Sequence, residues 1–193
     1  MKKHAITSDT PKKIPLGAGI FVKNFKWDAS GNKWTFDELG ATRGGGKVNY
    51  TREFLDPELD GKTVKTEDME IKLGEIAQME MNLAEYKKDT IVSMFGLKQD
   101  TNDASTGYVK FSSKPNVENG DYIDNVAFIG FTADGKEFIV LFDHAICLSA
   151  FEFEGKNKEQ SVLKVVVDCV AGIDQEDLTY LPVHFYFPNE ASA

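Results

Sequence analysis

Val126-Ala-Phe-Ile-Gly-Phe131 and Phe138-Ile-Val-Leu-Phe142, joined across Asp134-Gly135, decide how this chain reads. Asp-Gly between two short apolar runs is a hairpin signal, because glycine supplies the positive φ that a tight turn requires. Antiparallel strands in water ordinarily keep one face polar, so their side chains alternate. These two do not. Two explanations follow: both faces lie inside a two-layer sandwich with a helix as cover, or another subunit buries one of them.

Working outward, most other segments also read as strands. Gly17–Trp27 and Trp34–Leu39 flank the turn Asp28-Ala-Ser-Gly-Asn32, where Gly and Asn tolerate positive φ. Gly44-Gly45-Gly46 breaks the chain. After it, Val48, Tyr50 and Phe54 alternate with Asn49, Thr51 and Glu53, as a half-buried strand requires. Met79, Met81 and Leu83 alternate with Gln78, Glu80 and Asn82, which predicts a strand with one polar face. Val162–Val170 and Leu181–Phe187 complete the set.

Two segments break the pattern. Asp56–Lys72 carries Pro57, Gly61 and dense charge without apolar periodicity, and a polar insertion of this length inside a domain is usually functional or disordered. Asn82 with Glu85 has capping-box spacing and Gly96 stands at a C-terminal cap, so Glu85–Phe95 predicts a short helix. Tyr86, Ile91, Met94 and Phe95 give it an apolar side. There is no internal repeat, low-complexity tract or interdomain linker. The expectation is one mainly β domain over residues 1–193, a sandwich or half-barrel of antiparallel strands with one short flanking helix. Residues 1–16 form a flexible arm and residues 56–74 a long polar loop.

Composition agrees with a packed domain. At 193 residues the chain buries roughly 70% of its unfolded surface without a metal or disulfide staple. A hydrophobic share of 41% with 14 Phe excludes a disordered chain. The formal charge of −9, from 31 acidic and 22 basic residues, argues against gripping nucleic acid through its phosphates. It is compatible with letting nucleic acid slide past. Cys147 and Cys169 both lie in apolar runs, and read as buried thiols in a reducing cytoplasm, with a disulfide as the alternative. Ile14–Val22 contains Pro15, Gly17 and Gly19 and lacks a small-x-small cleavage site, so it reads as an arm entering a strand and not as a secretion signal. No run reaches the ~18 apolar residues of a membrane span.

The chemical motifs all fall short. Gly40-Ala-Thr-Arg-Gly-Gly-Gly-Lys47 has Ala41 where a P-loop needs Gly, and Val48 where it needs Ser or Thr. Asp100-Thr-Asn-Asp-Ala104 has Ala104 at a ligand position and Ser105 where a calcium loop turns on Gly. His4, His144 and His184 have no paired ligand spacing. Asp143 precedes His144 and is placed to orient it, but no nucleophile signature completes a triad. No catalytic, metal-binding or cofactor-binding residues are expected.

The order of segments resembles the phage major tail tube protein family. The resemblance rests on Leu39-Gly-Ala-Thr-Arg-Gly-Gly-Gly46, a strand, and then Glu53-Phe-Leu-Asp-Pro-Glu-Leu-Asp-Gly61. It continues through the strand Ala77–Leu83 running into a helix that ends at Gly96. It closes with Phe151-Glu-Phe-Glu-Gly-Lys-Asn-Lys-Glu159 before the late strands, and spans residues 15–188. The resemblance implies a structural subunit, not an enzyme, that joins through its sheets into hexameric rings stacked as a conduit for DNA ejection. It implies assembly in the host cytoplasm and residence in the virion tail. The implied partners are further copies of the chain, a tail terminator, a tape measure and baseplate or distal tail proteins, with double-stranded DNA passing unbound.

On that resemblance, Pro57, Asp60, Gly61, Lys62, Lys65, Glu67 and Asp68 become ring-stacking candidates, and Gln78, Glu80 and Asn82 lumen-facing ones. Phe128, Phe131, Phe138, Val140 and Phe142 become candidates for the interface between subunits. The alternatives are the inner tube of a contractile tail, bacteriocin or secretion apparatus, and a monomeric β-sandwich binding module.

Overall fold

The computed structural model describes residues 3–100, 107–155 and 157–189. Its strands are β1 (Pro15–Asp28), β2 (Lys33–Glu38), β3 (Thr42–Leu55), β4 (Ile71–Leu83), β5 (Lys98–Gln99), β6 (Phe111–Ser112), β7 (Val126–Thr132), β8 (Glu137–Phe142), β9 (Ala145–Cys147), β10 (Leu163–Cys169) and β11 (Val183–Tyr186). The α-helix α1 (Lys88–Met94) follows β4. One sheet has the order β11-β8-β7-β1-β2 and a second β3-β4-β10-β9, with β5-β6 as a small ribbon. All of these neighbouring pairs are antiparallel. Over the described residues the chain forms the expected mainly β fold of antiparallel strands with one short α-helix.

The β7–β8 hairpin explains the rest. One face carries Val126, Phe128, Val140 and Phe142, which join Phe21 from β1 and Val183 from β11. That face packs on Ala77, Met79, Met81 and Leu83 of β4 and Leu163, Val165 and Val167 of β10. The other face carries Ala127, Ile129, Ile139 and Leu141, and forms a second core with Val22 and Phe25. In a flat five-stranded sheet β2 and β11 lie about 19 Å apart. Yet the Trp34 ring on β2 meets Tyr186 on β11 with centroids 5.6 Å apart. The sheet curls into a half-barrel, and its own edge strands bring aromatic rings over the second core.

The hairpin is therefore covered on both faces by its own chain, so its missing alternation does not require a neighbouring subunit at Phe128, Phe131, Phe138, Val140 and Phe142. Val140 and Phe142 are core residues. Phe128 and Phe131 are half-buried against the two cores, and Phe138 packs its ring against Phe128 and Gly130.

Local chemistry places the breaks. Asn24 adopts φ 55° where the β1–β2 register shifts. Asn125 accepts from Phe25 N at 2.5 Å and donates to Phe25 O at 3.1 Å, replacing the interrupted ladder. This bulge turns Phe25 onto the face that holds Val22. The glycine triplet does not end a strand, contrary to expectation. Gly44 and Gly45 take positive φ as a bulge inside β3, where the pairing with β4 shifts. A Cβ on Gly46 would lie 2.4 Å from both the Phe21 ring and Glu80 O.

The helix starts later than expected. Lys87 is its N-cap, without a side-chain bond, and Glu85 Oε2 accepts from Ala41 N at 3.1 Å in place of closing a capping box with Asn82. Thr90 anchors the helix by donating to Leu39 O at 2.8 Å. Gly96 (φ 55°) does end it, with Leu97 N donating to Val92 O. The arm is shorter than 1–16. β1 begins at Pro15, and Ala133 N and Asp134 N at the hairpin turn donate to Ile14 O and Lys12 O.

Phe142→Ala should cost the isolated subunit about 3–5 kcal/mol of unfolding free energy, because it opens a cavity between the two sheets. Urea denaturation at low protein concentration measures this. A cost seen only in an assembled state would return Phe142 to the interface.

Candidate assembly surface

β4 changes character along its length. From Ala77 to Leu83 alternate residues are buried, but from Ile71 to Ile76 neither face enters the core. Ile71, Leu73 and Ile76 stay exposed, as do Phe54 and Leu55 on β3. β3 and β4 nevertheless pair to the end, with Leu55 opposite Ile71. The expected loop 56–74 is thus the tip, residues 56–70, of a hairpin that projects beyond the sandwich. Leu73 is 63% exposed, although it is large and apolar.

Glu75 fastens the base of this projection. Its side chain is only 6% exposed. It accepts from Lys72 Nζ at 2.6 Å, Tyr50 Oη at 2.7 Å and Leu181 N at 2.7 Å. Burial works against its charge, but the Lys72 ammonium, the Leu181 N–H and the Tyr50 hydroxyl outweigh it and hold the carboxyl down at about 2. The same hydrogen bond pushes the Tyr50 hydroxyl up. Tyr50 also packs edge-on against Phe185 of β11, so the clamp ties the hairpin to both sheets.

The tip has its own internal order. Lys62 Nζ pairs with the Asp56 carboxylate and donates to Pro57 O at 3.0 Å. Lys65 pairs with Glu70 at 3.0 Å, which raises the lysine and lowers the carboxyl. Gly61 and Asp68 take positive φ. Asp60 and Glu67 are exposed. Pro57, Asp60, Gly61, Lys62, Lys65, Glu67 and Asp68 therefore sit together at one end of the molecule.

Gln78, Glu80 and Asn82 share the outer face of the four-stranded sheet. Gln78 Nε2 donates to Asp168 Oδ1 at 2.6 Å, and Glu80 pairs with Lys164 at 3.0 Å. The Lys164 ion pair lowers the Glu80 carboxyl, with Lys47 opposite it on β3 adding to the effect. The face is a lattice of compensated charges, in which Glu80 is held in an ion pair.

The remaining candidate groups do not converge on chemistry. Asp143 Oδ2 meets His184 Nε2 at 2.9 Å, so it orients His184 and not the adjacent His144. The cavity around them is lined by Gly172, Ile173, Asp174, Gln175, Tyr180 and Pro182, with no Ser or Cys. Both cysteines are free thiols, and burial pushes Cys169 up to about 12. Among the described residues no group of three His, Cys, Asp or Glu is arranged to hold a metal, and no helix is long and apolar enough to cross a membrane. The calcium-like stretch lies, beyond Asp100, outside the described residues. Compared with protein-family models and with curated proteins, the sequence matches none.

Glu75→Gln should destabilise the subunit on the order of 2–3 kcal/mol at neutral pH. Its folded-state carboxyl lies below the ordinary glutamate value of 4.5, so its contribution is present above that value and lost as pH falls from there toward about 2. Denaturation midpoints of both proteins across this range should converge in acid. Parallel pH profiles would remove the clamp.

Proposed function

We propose that this chain is the subunit of a phage tail tube, a structural protein whose copies join into rings that stack as a conduit for DNA ejection. The reading is carried by the projecting β3–β4 hairpin. Phe54, Leu55, Ile71 and Leu73 stand in water on a hairpin fastened to a complete core, and large apolar side chains left exposed together on one projection mark a contact with protein. The four-stranded sheet also leaves β3 as a long edge strand, with a row of backbone groups turned outward. A monomer normally blunts such an edge, whereas a ring uses it.

In this function the tip residues Pro57, Asp60, Gly61, Lys62, Lys65, Glu67 and Asp68 carry contacts between rings. The Gln78, Glu80 and Asn82 face lines the lumen, where its compensated charges offer phosphate no net attraction. The partners are further copies, tail terminator, tape measure and distal tail or baseplate proteins, and the place of residence is the virion. No catalytic residue, metal or cofactor takes part.

Negative-stain electron microscopy of the concentrated protein should show rings or hollow tubes of uniform diameter. Deleting residues 62–68 should leave a folded chain that no longer builds long tubes. Tubes of normal length from that deletion would exclude the tip from stacking, and a chain that neither rings nor stacks at any concentration would contradict the function.

A further inference from the structure

Away from the projecting hairpin, the turn between β6 and β7 carries chemistry of its own. Of the ten asparagines in the sequence only Asn119 is followed by glycine, and every other one precedes a larger residue whose side chain hinders backbone attack on the amide. Asn119 and Gly120 are both exposed, in the 3-10 turn Asn119–Asp121. Among the described residues neither the Asn119 side chain nor Gly120 N–H has a hydrogen-bond partner. At the Asp134-Gly135 turn, by contrast, Gly135 N donates to Thr132 O at 2.8 Å.

The same turn clamps the end of α1. Asp121 Oδ1 accepts from Lys114 Nζ at 2.6 Å and Asp121 Oδ2 from Glu118 N at 2.8 Å, while Lys114 also pairs with Glu118 at 3.3 Å. The Lys114 ammonium, helped by Glu118 N–H, holds the Asp121 carboxyl below its ordinary value. This carboxylate lies against Gly96, where a Cβ would stand 2.7 Å from Asp121 Oδ1. Two residues on, Ile123 exchanges backbone hydrogen bonds with Ala145 at 2.8 and 3.0 Å. One ammonium thus serves two carboxylates in a segment tied to both the helix and β9.

We infer that Asn119 is a site of spontaneous deamidation, gated by this clamp, and that the reaction releases the end of α1. When the turn opens, Gly120 N gives its proton to water or hydroxide and bonds to Asn119 Cγ. The bond from Cγ to the amide nitrogen breaks, and that nitrogen leaves as ammonia. Water then opens the cyclic imide at one carbonyl or the other, leaving aspartate or isoaspartate, with one water consumed for each ammonia released. The folded turn resists the first step. A 3-10 turn keeps ψ near about −20 to −30°, whereas ring closure needs Asn119 Cβ and Gly120 N on the same side of the Cα–C bond. The folded chain therefore reacts at the rate of the open turn multiplied by the fraction open. Either product sets a third carboxylate beside the one Lys114 ammonium, and isoaspartate adds a backbone atom between Glu118 and Asp121.

The wild-type chain is incubated at neutral and mildly alkaline pH and digested, the peptides are weighed by mass spectrometry, and isoaspartate is detected with an isoaspartyl methyltransferase. The peptide carrying Asn119 should convert first among the asparagine peptides, and faster at the higher pH. Gly120 takes no positive φ and has nothing within 4 Å of a Cβ position, so Gly120→Ala should fold normally and convert far more slowly. Lys114→Ala should convert about two- to fivefold faster, the reach of one ion pair. Urea-unfolded wild type should convert faster than folded chain, which reads the opening without any variant. In the deamidated fraction the amides of Phe95 and Leu97 should exchange faster than in fresh protein. Asn119 left intact in folded chain while the unfolded chain converts, or Gly120→Ala converting like wild type, overturns the site. Folded and unfolded chain reacting alike, or Lys114→Ala no faster than wild type, overturns the gate. Unchanged exchange at Phe95 and Leu97 overturns the release.

Discussion

A hairpin that is apolar on both faces must be covered twice, and this requirement organises the molecule. Ala127, Ile129, Ile139 and Leu141 point one way from β7 and β8, and Val126, Phe128, Val140 and Phe142 the other. The second set takes the four-stranded sheet. The first has no third layer, so the five-stranded sheet bends until Trp34 meets Tyr186 above it. Bending needs local breaks in the ladder, and the bulge at Asn24, bridged by the Asn125 amide, supplies one in β1. Half-barrel, bulge and aromatic closure are three consequences of one constraint.

Because the chain closes both of its cores, what remains outside acquires meaning. The distal half of the β3–β4 hairpin has no core to enter, yet the Glu75 carboxylate holds its base with three donors. A carboxylate kept charged at low exposure stiffens the projection, so that its apolar and acidic residues are presented in fixed register. In the proposed tube, order at the tip before assembly lowers the entropy lost when rings meet. Lys62, bonded to Asp56 and Pro57, serves the same end.

Much of this was legible in the sequence, where periodicity carries the signal. The alternation of Met79, Met81 and Leu83 with Gln78, Glu80 and Asn82 gave the inner and outer faces of β4, and Gly96 marked the end of the helix. The double burial of β7–β8 was visible as missing alternation, but its cause was not, because a curled sheet and a neighbouring subunit produce the same pattern. Glu75 carried no local signal, since its partners Tyr50, Lys72 and Leu181 are brought together by pairing across distant segments. Glu85 had capping-box spacing and went to Ala41 N, a tertiary partner that displaced the local one. The glycine triplet read as a break because positive φ at Gly44 and Gly45 serves a turn and a bulge equally well.

The central claim is that one copy completes the core while the distal β3–β4 hairpin awaits another, and hydrogen exchange on free and assembled chain tests it most directly. In the free chain, amides of residues 51–55 and 71–75 should exchange much faster than those of β7 and β8, and assembly should slow them selectively. Protection gained instead by β7 and β8, with the distal hairpin unchanged, would contradict the claim and return the subunit interface to the apolar strands.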